Sequence, residues 1–276
     1  MKIDAHQHFW IFDPVRDRWI DDSMNVIQKD FLPEMLAPIL KKYDFDGCIA
    51  VQADQSETET QFLLDLASKN TIVKGVVGWV DLCADNVEER LAHFSKNKKF
   101  KGVRHIVQAE PKDFMLRTNF QHGISKLEQF GLAYDILIIP EQLPAAIAIV
   151  KAFPKQQFIV DHIAKPLIQK RELEPWKTNI EALAEYSNVY CKISGMQTEA
   201  DAKRWKYDDF VPYLDVIFNA FGVDKLLYGS DWPVCLLAAN YGEQLNVLER
   251  YMSRFSEAQK AKVMGGNAIN FYNLNT

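Results

Sequence analysis

FDGCIAVQADQSETETQFLLDLASKNTIVKGVVGWV, residues 45–80, reads as strand, helix, strand. Its two ends, FDGCIAVQ (45–52) and IVKGVVGWV (72–80), are short runs dense in Val and Ile, the signature of strands buried on both faces. Between them Ser56 and Glu59 resemble a capping box, set ahead of the helically spaced apolar residues Phe62, Leu63 and Leu66. Two parallel strands joined by a crossover helix satisfy this pattern.

The unit repeats in both directions. Six further runs, KIDAHQHF (2–9), FKGVRHIV (100–107), GLAYDILII (131–139), QFIVDHIA (157–164), VYCKISG (189–195) and KLLYGSDWP (225–233), bring the total to eight. Helix signals separate them: Asp85 with Glu88 repeats the capping pattern before Leu91, Pro175 starts a helix, and Gly131 and Gly222 suit left-handed C-caps. Eight such units predict a closed (β/α)8 TIM barrel occupying residues 1–276 as one domain, not an open doubly wound sheet. The long segment from Trp10 to Asp30, which carries Trp19, is expected to fold over the barrel mouth as a substrate loop.

Composition narrows the function. A chain of 276 residues with 48% hydrophobic content can bury a core of that size. A net charge of −5 without a basic stripe argues against nucleic acid. No apolar stretch approaches the roughly 20 residues of a membrane span, and the N-terminus lacks a signal-peptide pattern. Cys48, Cys83, Cys191 and Cys235 form no CxxC pair and read as small buried residues in a reducing cytoplasm. Glycine-rich phosphate loops are absent, so a nucleotide has no support and a small-molecule substrate is left. Nothing in the helix faces specifies an oligomeric state.

In a parallel barrel, chemistry sits at the C-terminal ends of the strands. The polar residues expected there are His6 and His8 on the first strand, Gln52 on the second, Arg104 and His105 on the fourth, Asp161 and His162 on the sixth, and Asp231 after the eighth. His6 and His8, two residues apart, share a face of the strand. Four of the six histidines fall at strand ends, a concentration that core filling does not explain. Asp231 reads either as a turn residue or as a general base that takes a proton from water while imidazoles or a metal stabilise the developing charge. Lys165 is placed to bind a substrate oxygen or to lie in solvent, and Arg104 to clamp oxygens of a substrate or to form a barrel salt bridge.

These residues resemble the amidohydrolase superfamily, in its lactonase-rich amidohydrolase-related branch. DAHQHFW, DFLPEML, VQADQSETETQFLLDLA, GVVGWVDL, GVRHIVQ, DHIAKP, CKISG and GSDWPVC look like the successive signatures of bacterial sugar-lactone hydrolases, along nearly the whole chain. The resemblance implies that Asp231 activates water, that His162, His6 and His8 position water or polarise a lactone carbonyl, and that Gln52, Arg104, His105, Lys165 and Trp232 contact substrate or support those that do. The expected reaction opens an aldonolactone such as L-fuconolactone or L-rhamnonolactone to its sugar acid. The alternatives are a decarboxylase or dicarboxylate lactonase of the same branch, and an inactive sugar-acid binder. Many superfamily members hold two metals through a lysine on strand four and a histidine on strand five, and neither occurs here. What remains, His6, His8, His162 and Asp231, suffices for one divalent ion, zinc by its N/O donors, and equally for metal-free opening of a reactive ester.

Overall fold

The computed structural model describes residues 1–274, so residues 275–276 of the expected domain lie outside the described residues. Eight strands run side by side in chain order, all parallel: β1 (Ile3–Gln7), β2 (Gly47–Val51), β3 (Val73–Gly78), β4 (Phe100–His105), β5 (Ala133–Ile136), β6 (Phe158–Val160), β7 (Val189–Ile193) and β8 (Leu226–Tyr228). Each leads to a helix: α1 (Pro33–Lys42), α2 (Glu57–Lys69), α3 (Val87–Phe94), α4 (Thr118–Leu127), α5 (Leu143–Ala152), α6 (Trp176–Ala184), α7 (Tyr207–Phe221) and α8 (Tyr241–Tyr251). Short helices α9 (Glu257–Ala261) and α10 (Asn267–Phe271) finish the described chain. The result is the TIM barrel that the alternation predicts. Among the described residues no helix is long and apolar enough to cross a membrane.

The ring closes just beyond β8. Asp231 N–H donates to His6 O at 2.7 Å, and His8 N–H donates to Trp232 O at 2.7 Å. Asp4 reinforces the seam, accepting from Ser230 N–H at 2.9 Å and, through its other oxygen, from the Tyr241 hydroxyl at 3.1 Å. Val, Leu, Ile and aromatic residues on the outer face of the strands pack against the helices. The lumen holds a separate apolar layer of Ile3, Ala5, Ile49, Val51, Val77, Ala133, Ile159 and Leu227, plugged from below by Ala268, Tyr272 and Leu274.

Above that layer the lumen turns polar. Alternation aims Arg104 (β4), Asp135 (β5) and Lys192 (β7) inward, and Asp161 lies just past β6 on the same phase. Two cations meet two anions: Arg104 Nη1 lies 3.1 Å from Asp161 Oδ2, Lys192 Nζ lies 3.0 Å from Asp161 Oδ1, and Lys192 also pairs with Asp135. The Tyr272 hydroxyl completes the layer from beneath, donating to Asp135 at 2.9 Å. Tyr134, one residue earlier on β5, faces outward among Phe120 and Phe158.

β1 enters this layer through a break in phase. Its pairing with β2 shifts between Asp4 and Gln7, where β1 advances three residues against two on β2 (Cys48 to Ala50). Such an extra residue reverses the facing of the residues beyond it. Ile3 and Ala5 point into the lumen and Asp4 outward, yet His6 is also in the lumen, beside Asp161 and Lys192.

Several local expectations need revision. Ser56 Oγ does accept from Glu59 N–H at 3.1 Å, but the Glu59 carboxylate reaches upstream to the N–H groups of Ala53 and Asp54 instead of closing a capping box. It thereby holds the turn after Gln52. Asp85 caps nothing: α3 starts after Asn86 and has no side-chain cap. Gly131 is left-handed, with φ 64° and ψ 30°, whereas Gly222 has φ 65° and ψ 168°, a region essentially reserved for glycine and different from the expected left-handed cap. Pro175 stands just before α6 and not within it.

The buried charges have measurable consequences for stability. Replacing Lys192 with Met leaves Asp135 and Asp161 uncompensated and should cost about 3–5 kcal/mol in urea unfolding. Adding Asp135→Asn should recover part of that loss, with a coupling of about 1 kcal/mol or more; strict additivity would refute the pairing. Burial, opposed by the N–H groups of Ala53 and Asp54, raises the Glu59 carboxyl to about 7. Because the folded value exceeds the ordinary one of 4.5, the stabilising preference for the protonated form is complete below that value and is lost as pH rises through about 7. Glu59→Gln lacks this loss, so its melting temperature should gain on the wild type between pH 5 and 8. A pH-independent difference would contradict the assignment.

Candidate active site

Three imidazoles and one carboxylate converge at the C-terminal mouth of the barrel. His6 Nε2 and His8 Nε2 lie 3.3 Å apart. Asp231 Oδ1 lies 3.3 Å from His8 Nε2, 3.8 Å from His6 Nε2 and 3.9 Å from His162 Nε2. All four residues are buried. The structure thus brings together His6, His8, His162 and Asp231 from β1, the end of β6 and the end of β8.

The far side of each ring explains which way its other nitrogen points. His8 Nδ1 lies 2.7 Å from Val51 O, and a carbonyl only accepts, so Nδ1 carries the proton. His6 Nδ1 faces Asp161 Oδ1 at 3.2 Å, and His162 Nδ1 faces the Ser194 hydroxyl at 2.9 Å. The Nε2 atoms of all three rings converge on the Asp231 carboxylate. Burial, aided by the Lys192 ammonium, drives His6 well below its usual value despite the pull of Asp161. Burial likewise lowers His162 to about 4 against the pull of Asp231 and Asp161, so both rings are neutral at neutral pH. Burial alone would raise the Asp231 carboxyl, but the imidazoles of His162, His8 and His6 outweigh it and hold it low and ionised.

Unusual backbone delivers two of these groups. Asp231 is left-handed at φ 55°. His162, Ile163, Ala164 and Lys165 are all left-handed, with φ between 48° and 58°, a turn that costs roughly 1–2 kcal/mol per residue in L-amino acids. The Trp176 indole secures it by donating to Ile163 O at 2.7 Å. Gly195, itself at φ 63°, leaves room for the His162 ring, since a Cβ there would come 2.7 Å from Nδ1. Strain of this kind persists where surrounding structure over-determines the backbone, often at functional sites.

The cluster opens into a cavity of about 350 Å³, within the range of sites for one small molecule. Arg104 and Lys165 line it with His8, His162 and Asp231, and Trp19 from the 10–30 segment closes one side. Lys165 is paired with Glu199 at 3.2 Å. Gln52 stands behind the cavity and grips Arg104, its Oε1 accepting from Nη2 at 2.9 Å and from Nε at 3.2 Å.

Two of the expected contacts are elsewhere. His105 faces outward from β4, stacked on Phe114 with ring centroids 4.8 Å apart and tied to Glu110 at 3.4 Å. Trp232 packs edge-on against Phe31 and Phe9 beneath the mouth segment, and only its backbone reaches the site. Both come directly after an inward-facing residue in sequence, and alternation turns them away. Sequence reasoning assigns no role to Lys192, although a charge inside an apolar strand run is an available signal; on the fifth strand, where Tyr134 or Asp135 is expected to face the pocket, it is Asp135 that points inward. It also misses Ile106 and Leu137, which follow the inward-facing Arg104 and Asp135 by two residues, and Gln108 and Val234, which lie beyond the strand runs.

The donor set suits one divalent ion. His6, His8 and Asp231 place their ligand atoms within 4.8 Å of one another. Separations of 3.3–3.8 Å bracket the roughly 3.4 Å between ligands of tetrahedral zinc with bonds of about 2.0–2.1 Å. A second group, His6, Asp161 and His162, is equally compact, but its carboxylate is already engaged by Arg104 and Lys192.

Comparison with known proteins agrees with this geometry. The chain is 36% identical to the L-fucono-1,5-lactonase of Burkholderia multivorans over 99% of its own length and 96% of that protein, and 34% identical to the L-fucono-1,5-lactonase of Burkholderia ambifaria over the same shares. It superposes on a crystal structure of an amidohydrolase from Burkholderia multivorans with bound zinc at a TM-score of 0.96, with 36% identity and both chains fully covered. A model of the amidohydrolase family matches residues 3–274. The chain belongs to the amidohydrolase family.

Proposed function

We propose that this protein hydrolyses a sugar lactone, of the L-fucono-1,5-lactone class, to its sugar acid. The observation that carries the reading is the convergence of the ionised Asp231 carboxylate and neutral imidazoles on the floor of a cavity sized for one sugar ring. The likeness to two L-fucono-1,5-lactonases along the whole chain supports the substrate class.

The charges dictate the chemistry. Asp231 takes a proton from water as the water oxygen bonds to the lactone carbonyl carbon. Negative charge then gathers on the carbonyl oxygen, for which the Arg104 guanidinium and the Lys165 ammonium are the cations in the cavity wall. The bond from carbonyl carbon to ring oxygen breaks, and the proton held by Asp231 passes to that oxygen as it leaves as a hydroxyl. Asp231 ends ionised, ready for the next turnover. A divalent ion held by His6, His8 and Asp231, of which we infer zinc, would supply Lewis acidity and a more acidic water.

The charges also bear on the dicarboxylate alternative. Each cation in the cavity wall already has a protein anion, Asp161 for Arg104 and Glu199 for Lys165. A substrate carboxylate would have to compete with both, so a neutral polyhydroxylated lactone suits the cavity better.

The test is a panel of aldonolactones monitored by proton release, with and without a chelator. L-Fuconolactone should be opened, and Asp231→Asn should lower kcat by about 10²–10⁴-fold. Opening of no lactone in the panel, or full activity in Asp231→Asn, would overturn the proposal. Activity that survives exhaustive chelation would remove the metal from it.

A further inference from the structure

The cavity is two-sided. His8, His162, Asp231 and Arg104 occupy the side toward the barrel axis, where hydrolysis is proposed to occur. The loops after β4 and β5 supply a wall of different character, Ile106, Gln108 and Leu137, to which Val234 adds a further apolar side chain. Gln108 is the sole side-chain amide in the lining, and its Oε1 is buried without any hydrogen-bond partner among the described residues.

The wall is built stiffly. Gln108 N–H donates to Leu137 O at 3.0 Å, joining the two loops. The Gln142 amide, at the start of α5, donates to Val107 O at 2.7 Å and to Glu110 O at 3.0 Å, bracketing Gln108 on both sides. Ile106 N–H donates to Gln55 Oε1 at 2.7 Å, which fixes the wall to the loop after β2. None of these bonds touches the imidazole cluster. They commit buried amides to holding three side chains in place, as selection between similar substrates requires.

We propose that this wall makes the enzyme selective for 6-deoxy sugar lactones: Ile106 and Leu137 receive the methyl group that a 6-deoxy sugar carries in place of a hydroxymethyl group. The proposal rests on the lactonase reading and names its specificity determinant. A hydroxymethyl group would set its oxygen against Ile106 and Leu137, with no partner there to replace water.

L-Fuconolactone and L-galactonolactone of the same ring size differ only in this group. For the wild type, kcat/KM should favour L-fuconolactone by about 10- to 100-fold. Leu137→Asn and, separately, Ile106→Asn should draw that ratio toward one. Using two wall variants and a ratio as readout guards against a variant that merely folds poorly. A wild-type ratio near one, or a ratio unmoved in both wall variants, overturns the proposal while leaving lactone hydrolysis intact. Activity on other aldonolactones but on neither of this pair does the same. Failure to open any lactone removes the lactonase reading, and this inference with it.

Discussion

The Asp161 carboxylate holds the site together. It is wholly buried at the centre of the barrel, where an unpaired anion would be prohibitive, and it is tolerated because Arg104 and Lys192 approach it from β4 and β7 while His6 meets it from β1. Burial pushes its carboxyl up, and the Lys192 ammonium, His6 and Arg104 more than reverse that, leaving it ionised. Three strands are thereby cross-linked to the end of a fourth through one side chain. The same carboxylate orients His6, so the element that balances charge in the barrel also turns His6 Nε2 toward Asp231. Asp135, pushed up to about 6 by burial against the pull of Lys192, completes the balance with Tyr272 below it. Two cations and two anions make a layer of zero net charge between an apolar plug and a polar mouth.

Geometry at the mouth depends on departures from ideal backbone, each where a side chain of the candidate site faces inward. The extra residue in β1 reverses its phase and returns His6 to the lumen directly after Ala5. The left-handed turn after β6 carries His162 and Lys165 into one cavity. The left-handed Asp231 lies on the closing seam, where its own N–H binds His6 O. The carboxylate and the first histidine are therefore registered to each other by backbone, and the barrel cannot close without bringing them together. Regular strands would have spared the strain and pointed half of these groups at the helices.

This distinction governs how much of the molecule is legible in its sequence. The eight strands can be read from runs of β-branched residues separated by helical spacing, because a parallel strand buried on both faces tolerates little else. His6, His8, His162 and Asp231 are readable as candidates, because barrel topology sends the ends of β1, β6 and β8 to one place whatever their local conformation. Facing is less accessible. Adjacency in sequence assigns His105 and Trp232 to the site, and simple alternation turns both away. Lys192 gains no role because a lysine in VYCKISG has no meaning until β5 and β6 are known to present aspartates to it. The wall residues Ile106 and Leu137 continue the inward alternation of Arg104 and Asp135 past the strand ends, whereas the loop that carries Gln108 is set by long-range hydrogen bonds from Gln55 and Gln142. Glu59 shows the same limit, for the spacing that suggests a capping box serves a bond to the preceding turn.

Charge pairing in the cavity also shapes the reaction cycle. A lactone is neutral and its hydrolysis product is an anion, so the cavity must admit the one and release the other. Were Arg104 and Lys165 unpaired, they would bind the product far more tightly than the substrate and turnover would stall on release. Asp161 and Glu199 satisfy both cations in advance, leaving them able to stabilise charge gathering for an instant on a nearby oxygen but offering no unpaired positive site to a settled carboxylate. Asp231 adds to this. In the proposed reaction it passes its proton to the leaving oxygen and is again an anion beside the newly formed carboxylate, and like charges in a poorly solvated cavity repel. The group proposed to start the reaction by accepting a proton would thus end it by favouring departure of the product.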